Sequence, residues 1–148
     1  MSFDRDALRA QLRHSEKFVP HAYQDSLGFW TIGYGRLIDK RRGGGISQAE
    51  AEYLLDNDIS TTIEECDVHI PWWRNLDPVR QLVMLDLMFN MGWGNGKNGL
   101  STFRNGTLRA IEANDYAKAA AGLRKSKWAG QVKSRADRLI KMMLTGEQ

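Results

Sequence analysis

The chain has 148 residues and a single cysteine, Cys66, so it cannot form an internal disulfide. That fits synthesis in a reducing compartment. The length is enough for a core without covalent staples, and Cys66 reads as a small core residue on a helix. There are three histidines, His14, His21 and His69, scattered without ligand spacing, so no metal or other cofactor is implied. No stretch reaches the roughly 18 apolar residues of a membrane span. No basic segment followed by an apolar run opens the chain, so neither a secretion signal nor an anchor is expected. The loop Trp93–Gly99 lacks the Gly-Lys-Ser/Thr that opens a phosphate-binding helix, which excludes a nucleotide site of that type. No repeat or low-complexity tract is visible. The cation excess is small: 21 Lys and Arg stand against 18 Asp and Glu, a net charge of +3. It suits polyanionic surfaces such as nucleic acid, anionic lipid or cell wall, without choosing among them.

What the chain does have is concentrated between Glu16 and Gly35. Acids stand at Glu16 and Asp25 and a hydroxyl at Thr31. Asp25 to Gly35 reads as a β-hairpin turning at Gly28, with Phe29, Thr31 and Tyr34 alternating with Trp30 and Ile32. Pro20 and Gly28 make a straight run unfavourable, so the hairpin is expected to fold back on the helix that ends at Glu16. Two carboxylates and a hydroxyl gathered in this way suit acid/base hydrolysis of an acetal.

The remaining elements follow from caps and periodicity. Asp4 caps a first helix carrying Ala7, Leu8 and Leu12. The run Gly43-Gly44-Gly45 marks a turn between a second and a third strand, with Lys40, Arg41 and Arg42 as a solvated loop beside it. Ser47 and Glu50 form a capping box for a long helix through Ala51, Ile59, Ile63 and Cys66 that stops before Pro71. Trp72 and Trp73 read as a buried corner. Asp77-Pro78 starts a helix that is apolar on most sides, from Val79 to Met91, and Gly92 ends it. Three further helical patterns run through Phe103, Leu108 and Ile111, then Tyr116, Ala120 and Leu123, then Ala136, Leu139, Ile140 and Met143. Asn114 or Asp115 caps the second and Ser134 the third. The fold class is α+β: a small N-terminal lobe with a β-hairpin or three-stranded sheet, a long connecting helix, and a mostly helical C-terminal lobe.

In this order the motifs resemble the T-even-phage type of lysozyme, the endolysin muramidases of bacteriophages. The resemblance rests on Glu16 at a helix end, Tyr23-Gln24-Asp25, Gly28, Thr31-Ile32-Gly33-Tyr34-Gly35, and Ile46-Ser47 with Glu50-Ala51-Glu52 and Leu54. It continues in Phe89-Asn90-Met91-Gly92, Ser126-Lys127-Trp128 and Ser134-Arg135-Ala136. It implies one lysozyme-like catalytic domain over 1–148. Its lobes would be roughly 13–70 and 71–148, with the N-terminal helix packing on the C-terminal lobe.

The resemblance also implies hydrolysis of the β-1,4 bond between N-acetylmuramic acid and N-acetylglucosamine in peptidoglycan, leading to lysis of a bacterial host. Glu16 is expected as general acid, and Asp25 and Thr31 as holders of the attacking water or stabilisers of the sugar cation. Arg135 matches an arginine that approaches Glu16. Leu37 and Phe89 match positions lining the substrate cleft, and Ser101 and Thr102 fall near a contacting hydroxyl. Asn90 stands where relatives commonly have Gln, and Gly122 where they have Asn. Arg36 replaces a His, and an Arg36–Asp58 ion pair is expected in its place. A monomer that binds no nucleic acid is implied. It would wait in the host cytoplasm for a separate holin and then act in the periplasm or cell wall.

Two rivals remain. A lytic transglycosylase cuts the same bond without needing a second carboxylate. A membrane disruptor would use Lys133, Arg135, Arg138 and Lys141 of the last helix for weak contact with anionic lipid.

Overall fold

The computed structural model describes residues 4–148, with Arg42 described by its backbone alone. The chain divides into two compact units, one ending at Tyr53 and the other running from Leu54 to Gln148.

The first unit opens with α1, Arg5–Glu16, capped by Asp4, whose carboxylate accepts from the backbone N–H groups of Asp6 and Ala7. Lys17 stops the helix with φ 56°, a left-handed conformation rarely adopted by non-glycine residues. Three antiparallel strands follow, β1 at Val19–Gln24, β2 at Trp30–Gly33 and β3 at Arg36–Leu37, in the order β1-β2-β3. Tyr23 and Leu37 both stand opposite Thr31 in the register, so the three share one face of the sheet.

The third strand forms earlier than the triple glycine suggests. Tyr34 and Gly35 make a tight turn straight into β3, with Gly35 at φ 70°, and Gly43–Gly45 comes after the sheet. Between them lies a short 3-10 turn, Lys40–Arg42, capped by Asp39. The Arg41 guanidinium pairs with Asp39 and lies 5.3 Å from the centre of the Phe29 ring.

The next helix, α2, spans Gln48–His69 and crosses the boundary between the units. Its capping box forms as expected. The Ser47 N–H donates to Glu50 at 2.7 Å, and the Glu50 N–H donates to the Ser47 hydroxyl at 3.2 Å. Arg36 does tie the sheet to this helix, but not through Asp58. Its guanidinium donates to Glu50 at 2.8 Å and to the Gly45 carbonyl at 3.0 Å. Glu50 is already fixed at the helix start by Ser47 and lies within reach of the strand, whereas Asp58 is two turns further along.

Among the described residues, every buried apolar side chain lies in the second unit, between Cys66 and Met143. Its centre is α3, Pro78–Met91, which buries Val83, Met84, Leu87 and Met88. Asp77 caps α3 through the Arg80 N–H, with proline at the first position. The expected pattern from Phe103 to Ile111 breaks at Gly106 into a 3-10 turn, Leu100–Phe103, and α4, Thr107–Glu112. Two further helices are α5, Tyr116–Arg124, and α6, Lys127–Val132, capped by Asp115 and Ser126. The closing helix α7 runs over Ser134–Thr145 and packs on α3, α5 and α6.

Ser134 is inside α7 rather than its cap; Lys133 holds that place with φ 41° and no side-chain hydrogen bond. Leu139, Ile140 and Met143 are buried, so the apolar side of α7 belongs to the core. Arg80 ties its end to α3, donating to the carbonyls of Met143 and Leu144 at 2.8 and 3.1 Å. Cys66 is buried in the same core, and burial pushes its thiol up to about 12, so it is an unreactive packing residue. Trp73 is also buried, its indole donating to Asp67 at 2.8 Å.

Candidate active site

Glu16 is the last residue of α1, and the positive φ of Lys17 turns the chain away behind it. Its carboxyl group lies directly on the backbone of Gly35. A Cβ added there would come within 2.8 Å of the Glu16 carboxyl carbon and 3.3 Å of Cγ. Only glycine fits, both for this approach and for the φ of 70°. Glu16 also lines a cavity of about 380 Å³ together with Leu12, Arg13 and Tyr34. Phe18 packs against Tyr34 with ring centroids 5.5 Å apart, and the Arg13 guanidinium stands 5.9 Å from the Tyr34 ring.

Asp25 begins the turn between β1 and β2. One of its carboxylate oxygens, Oδ1, accepts from the N–H groups of Leu27 and Phe29, both at 2.9 Å. This Asx turn leaves Oδ2 without a hydrogen-bond partner among the described residues. Thr31 is buried on β2, and its hydroxyl donates to the Phe29 carbonyl at 3.1 Å. Phe29 therefore holds both groups, Asp25 through its N–H and Thr31 through its carbonyl. The Thr31 oxygen keeps its acceptor capacity. A fixed carboxylate with one free oxygen beside a hydroxyl that can still accept is an arrangement able to orient a water molecule. Leu37 stands opposite Thr31 across the strand pair.

The other expected residues lie in the second unit, where the structure distributes them over three concavities. Phe89, half exposed, and Arg135 line an apolar cavity of about 300 Å³ with Leu82 and Leu85. Arg135 is paired with Asp86, at 2.8 Å through Nε and 2.7 Å through a terminal nitrogen. Asn90 and Thr102 line a cavity of about 830 Å³, where Asn90 accepts the Trp128 indole N–H at 2.8 Å. Ser101 borders a third cavity of about 320 Å³ but is itself buried. Its hydroxyl accepts from Gly96 N–H and donates to the Asn98 carbonyl, locking the glycine-rich loop.

Gly35 and Trp128 are absent from the sequence-derived site. Gly35 is the second glycine of a Gly-x-Gly turn, which signals a special backbone but not the acid that lies on it.

Residues 13–141 match the phage lysozyme family. The chain belongs to that family. Probable T4-type lysozyme 1 of Dictyostelium discoideum is 26% identical over 95% of both chains. Pre-baseplate central spike protein Gp5 of Enterobacteria phage T4 is 29% identical over 95% of this chain but only 28% of its own length. The Endolysin of Acyrthosiphon pisum secondary endosymbiont phage 1 is 30% identical over 68% of this chain and 63% of its own. Phage lysozymes are glycoside hydrolases of the muramidase type, so this chain is a glycoside hydrolase with lysozyme-type lysis of peptidoglycan as its activity.

Proposed function

We propose that the chain is an endolysin that hydrolyses the β-1,4 bond between N-acetylmuramic acid and N-acetylglucosamine. Glu16 protonates the departing glycosidic oxygen. Asp25 and Thr31 orient the attacking water or stabilise the positive charge that grows on the sugar. Leu37, Phe89, Asn90, Ser101, Thr102 and Arg135 are assigned to substrate binding on the family resemblance. The observation that carries this reading is the packing of the Glu16 carboxyl group on Gly35, which leaves that acid one defined place in the first unit. The enzyme works as a monomer, waits in the host cytoplasm and reaches the cell wall when a separate holin opens the membrane.

The test is turbidity clearing of purified peptidoglycan by the parent and by Glu16→Gln. Loss of clearing in the variant, with reducing ends in the parent's products by mass spectrometry, is the expected result. Anhydro ends would make the chain a lytic transglycosylase instead. Clearing by Glu16→Gln equal to the parent overturns the role of the acid. Membrane disruption is disfavoured because the apolar side of α7 is already buried in the core.

A further inference from the structure

Between β3 and α2 the basic run and the triple glycine close on a buried acid. Asp39 is 7% exposed, and aspartate is seldom buried without a partner. Its Oδ1 accepts from the Arg41 backbone N–H at 3.0 Å and from Arg41 Nε at 2.9 Å. Its Oδ2 accepts from a terminal guanidinium nitrogen of Arg41 at 2.5 Å. This is a bidentate, charge-assisted pair. Gly44 lies so close to Asp39 that an added Cβ would stand 2.7 Å from both its backbone N and O, so glycine lets the loop close there. The far end of the loop is tied to α2, because Arg36 donates both to the Gly45 carbonyl and to Glu50.

The guanidinium fixed in this way lies 5.3 Å from the centre of the Phe29 ring, within cation–π range. The Phe29 backbone in turn carries the hydrogen bonds of the site. Its N–H donates to Asp25 Oδ1 at 2.9 Å, and its carbonyl accepts from the Asp25 N–H at 2.9 Å and the Thr31 hydroxyl at 3.1 Å. The following residue is tied to the same loop, since the Ile38 N–H donates to the Trp30 carbonyl at 2.9 Å. One side chain therefore stands against the residue on which both Asp25 and Thr31 depend. Hydrogen bonds from Arg41 hold the Asp39 carboxyl down at about 2, so the pair stays ionised near neutral pH.

We propose that Arg41, held by Asp39, is a positioning residue for the hydrolysis: its guanidinium fixes the Phe29 ring, and the Phe29 backbone then sets where Asp25 and Thr31 stand. The proposal rests on Asp25 and Thr31 acting in the reaction. Arg41 makes no hydrogen bond or ion pair with either of them among the described residues, so it acts through Phe29. The geometry asks for a planar fork that pairs with two carboxylate oxygens and lies against a ring at the same time. A lysine ammonium is a point charge and cannot do both.

The test is peptidoglycan-clearing kinetics, measured well below the thermal midpoint of each variant. Arg41→Ala and Asp39→Asn should each lower kcat on the order of 10-fold, less than the roughly 100-fold of a full 1 Å displacement, with KM within about twofold of the parent. Arg41→Lys keeps the charge and should not restore kcat. Lys40→Ala removes a charge from the same loop without removing a hydrogen bond of Asp39, and it should match the parent. An unchanged kcat in Arg41→Ala, full recovery in Arg41→Lys, or a loss in Lys40→Ala equal to that in Arg41→Ala overturns the proposal.

Two further measurements separate positioning from loss of stability. The amide resonance of Phe29, whose N–H donates to Asp25, should shift alike in Arg41→Ala and Asp39→Asn; an unmoved resonance overturns the proposal. Arg41→Ala added to Asp25→Asn should cost less than about twofold more, because residues that act as a unit are not additive. A further loss as large as that in the parent background means that Arg41 acts elsewhere, and the proposal fails. If Asp25→Asn alone keeps the parent's rate, the role of Asp25 falls instead, and the Phe29 resonance still decides whether the Asp39–Arg41 pair holds the turn.

Discussion

Replacing Gly35 with alanine isolates the contact on which the site depends. The added Cβ would stand 2.8 Å from the Glu16 carboxyl carbon, against the roughly 3.5–4.0 Å of comfortable carbon–carbon contact. Either the carboxyl group or the turn must therefore move by about 1 Å. A displacement of that size at a reacting group costs on the order of 100-fold in rate. The backbone adds a separate cost, since Gly35 has φ 70° and a non-glycine residue there loses about 1–2 kcal/mol. That corresponds to a fall of roughly 2–8 °C in thermal midpoint for a chain of this size.

Gly43 separates the two effects. It has the same φ of 70° but nothing within 4 Å of an added Cβ. Gly43→Ala should lose comparable stability and keep its peptidoglycan-clearing rate. Gly35→Ala should lose the rate as well, measured well below both midpoints. Equal rates in the two variants would refute the positioning of Glu16 by Gly35.

Three other outcomes are expected. Asp25→Asn keeps the Oδ1 acceptor of the turn, so the thermal midpoint should hold while activity falls by about 10²–10⁴-fold; activity within twofold of the parent would remove Asp25 from the mechanism. Hydrogen bonds from the Arg41 guanidinium, and next from its backbone N–H, hold the Asp39 carboxyl down at about 2. Because the folded value is depressed, its contribution to stability is present above the unfolded value of about 4 and is lost as pH falls through about 2. Nuclear magnetic resonance titration of Asp39 should show this, and Arg41→Ala should return the midpoint toward 4; a parent midpoint already near 4 contradicts the pairing. Asn90→Ala leaves the buried Trp128 indole N–H without its acceptor and should cost about 1–3 kcal/mol by urea unfolding, whereas an unchanged midpoint would mean that water satisfies the indole.

Much of this protein is legible locally. The Asp4 cap, the Ser47–Glu50 capping box and Asp77-Pro78 each contain both partners of a short-range interaction, and each helix starts where those residues say. The catalytic candidates stand out because Glu16, Asp25 and Thr31 lie within one short segment with recognisable turn residues. What periodicity misjudged were choices between nearby alternatives. Gly106 split a helical pattern in two, Lys133 rather than Ser134 became the cap of α7, and β3 formed directly after Gly35.

Tertiary structure decided which groups meet across distance in the chain. Arg36 has carboxylates available at Glu50 and Asp58, and no spacing rule says that the strand ends beside Glu50. Ser101 looks like a free hydroxyl in sequence, yet burial commits it to the loop it belongs to. Gly35 is a turn residue until the fold lays Glu16 upon it. Lys97 is far from Lys125 and Lys127 along the chain, and only the packing of the glycine-rich loop near the turn between α5 and α6 makes them one cavity. Caps and turns depend on neighbours a few residues away, so sequence alone determined them. Ion pairs, buried hydroxyls and cavity walls depend on which surfaces pack together, and that is settled only when the core closes.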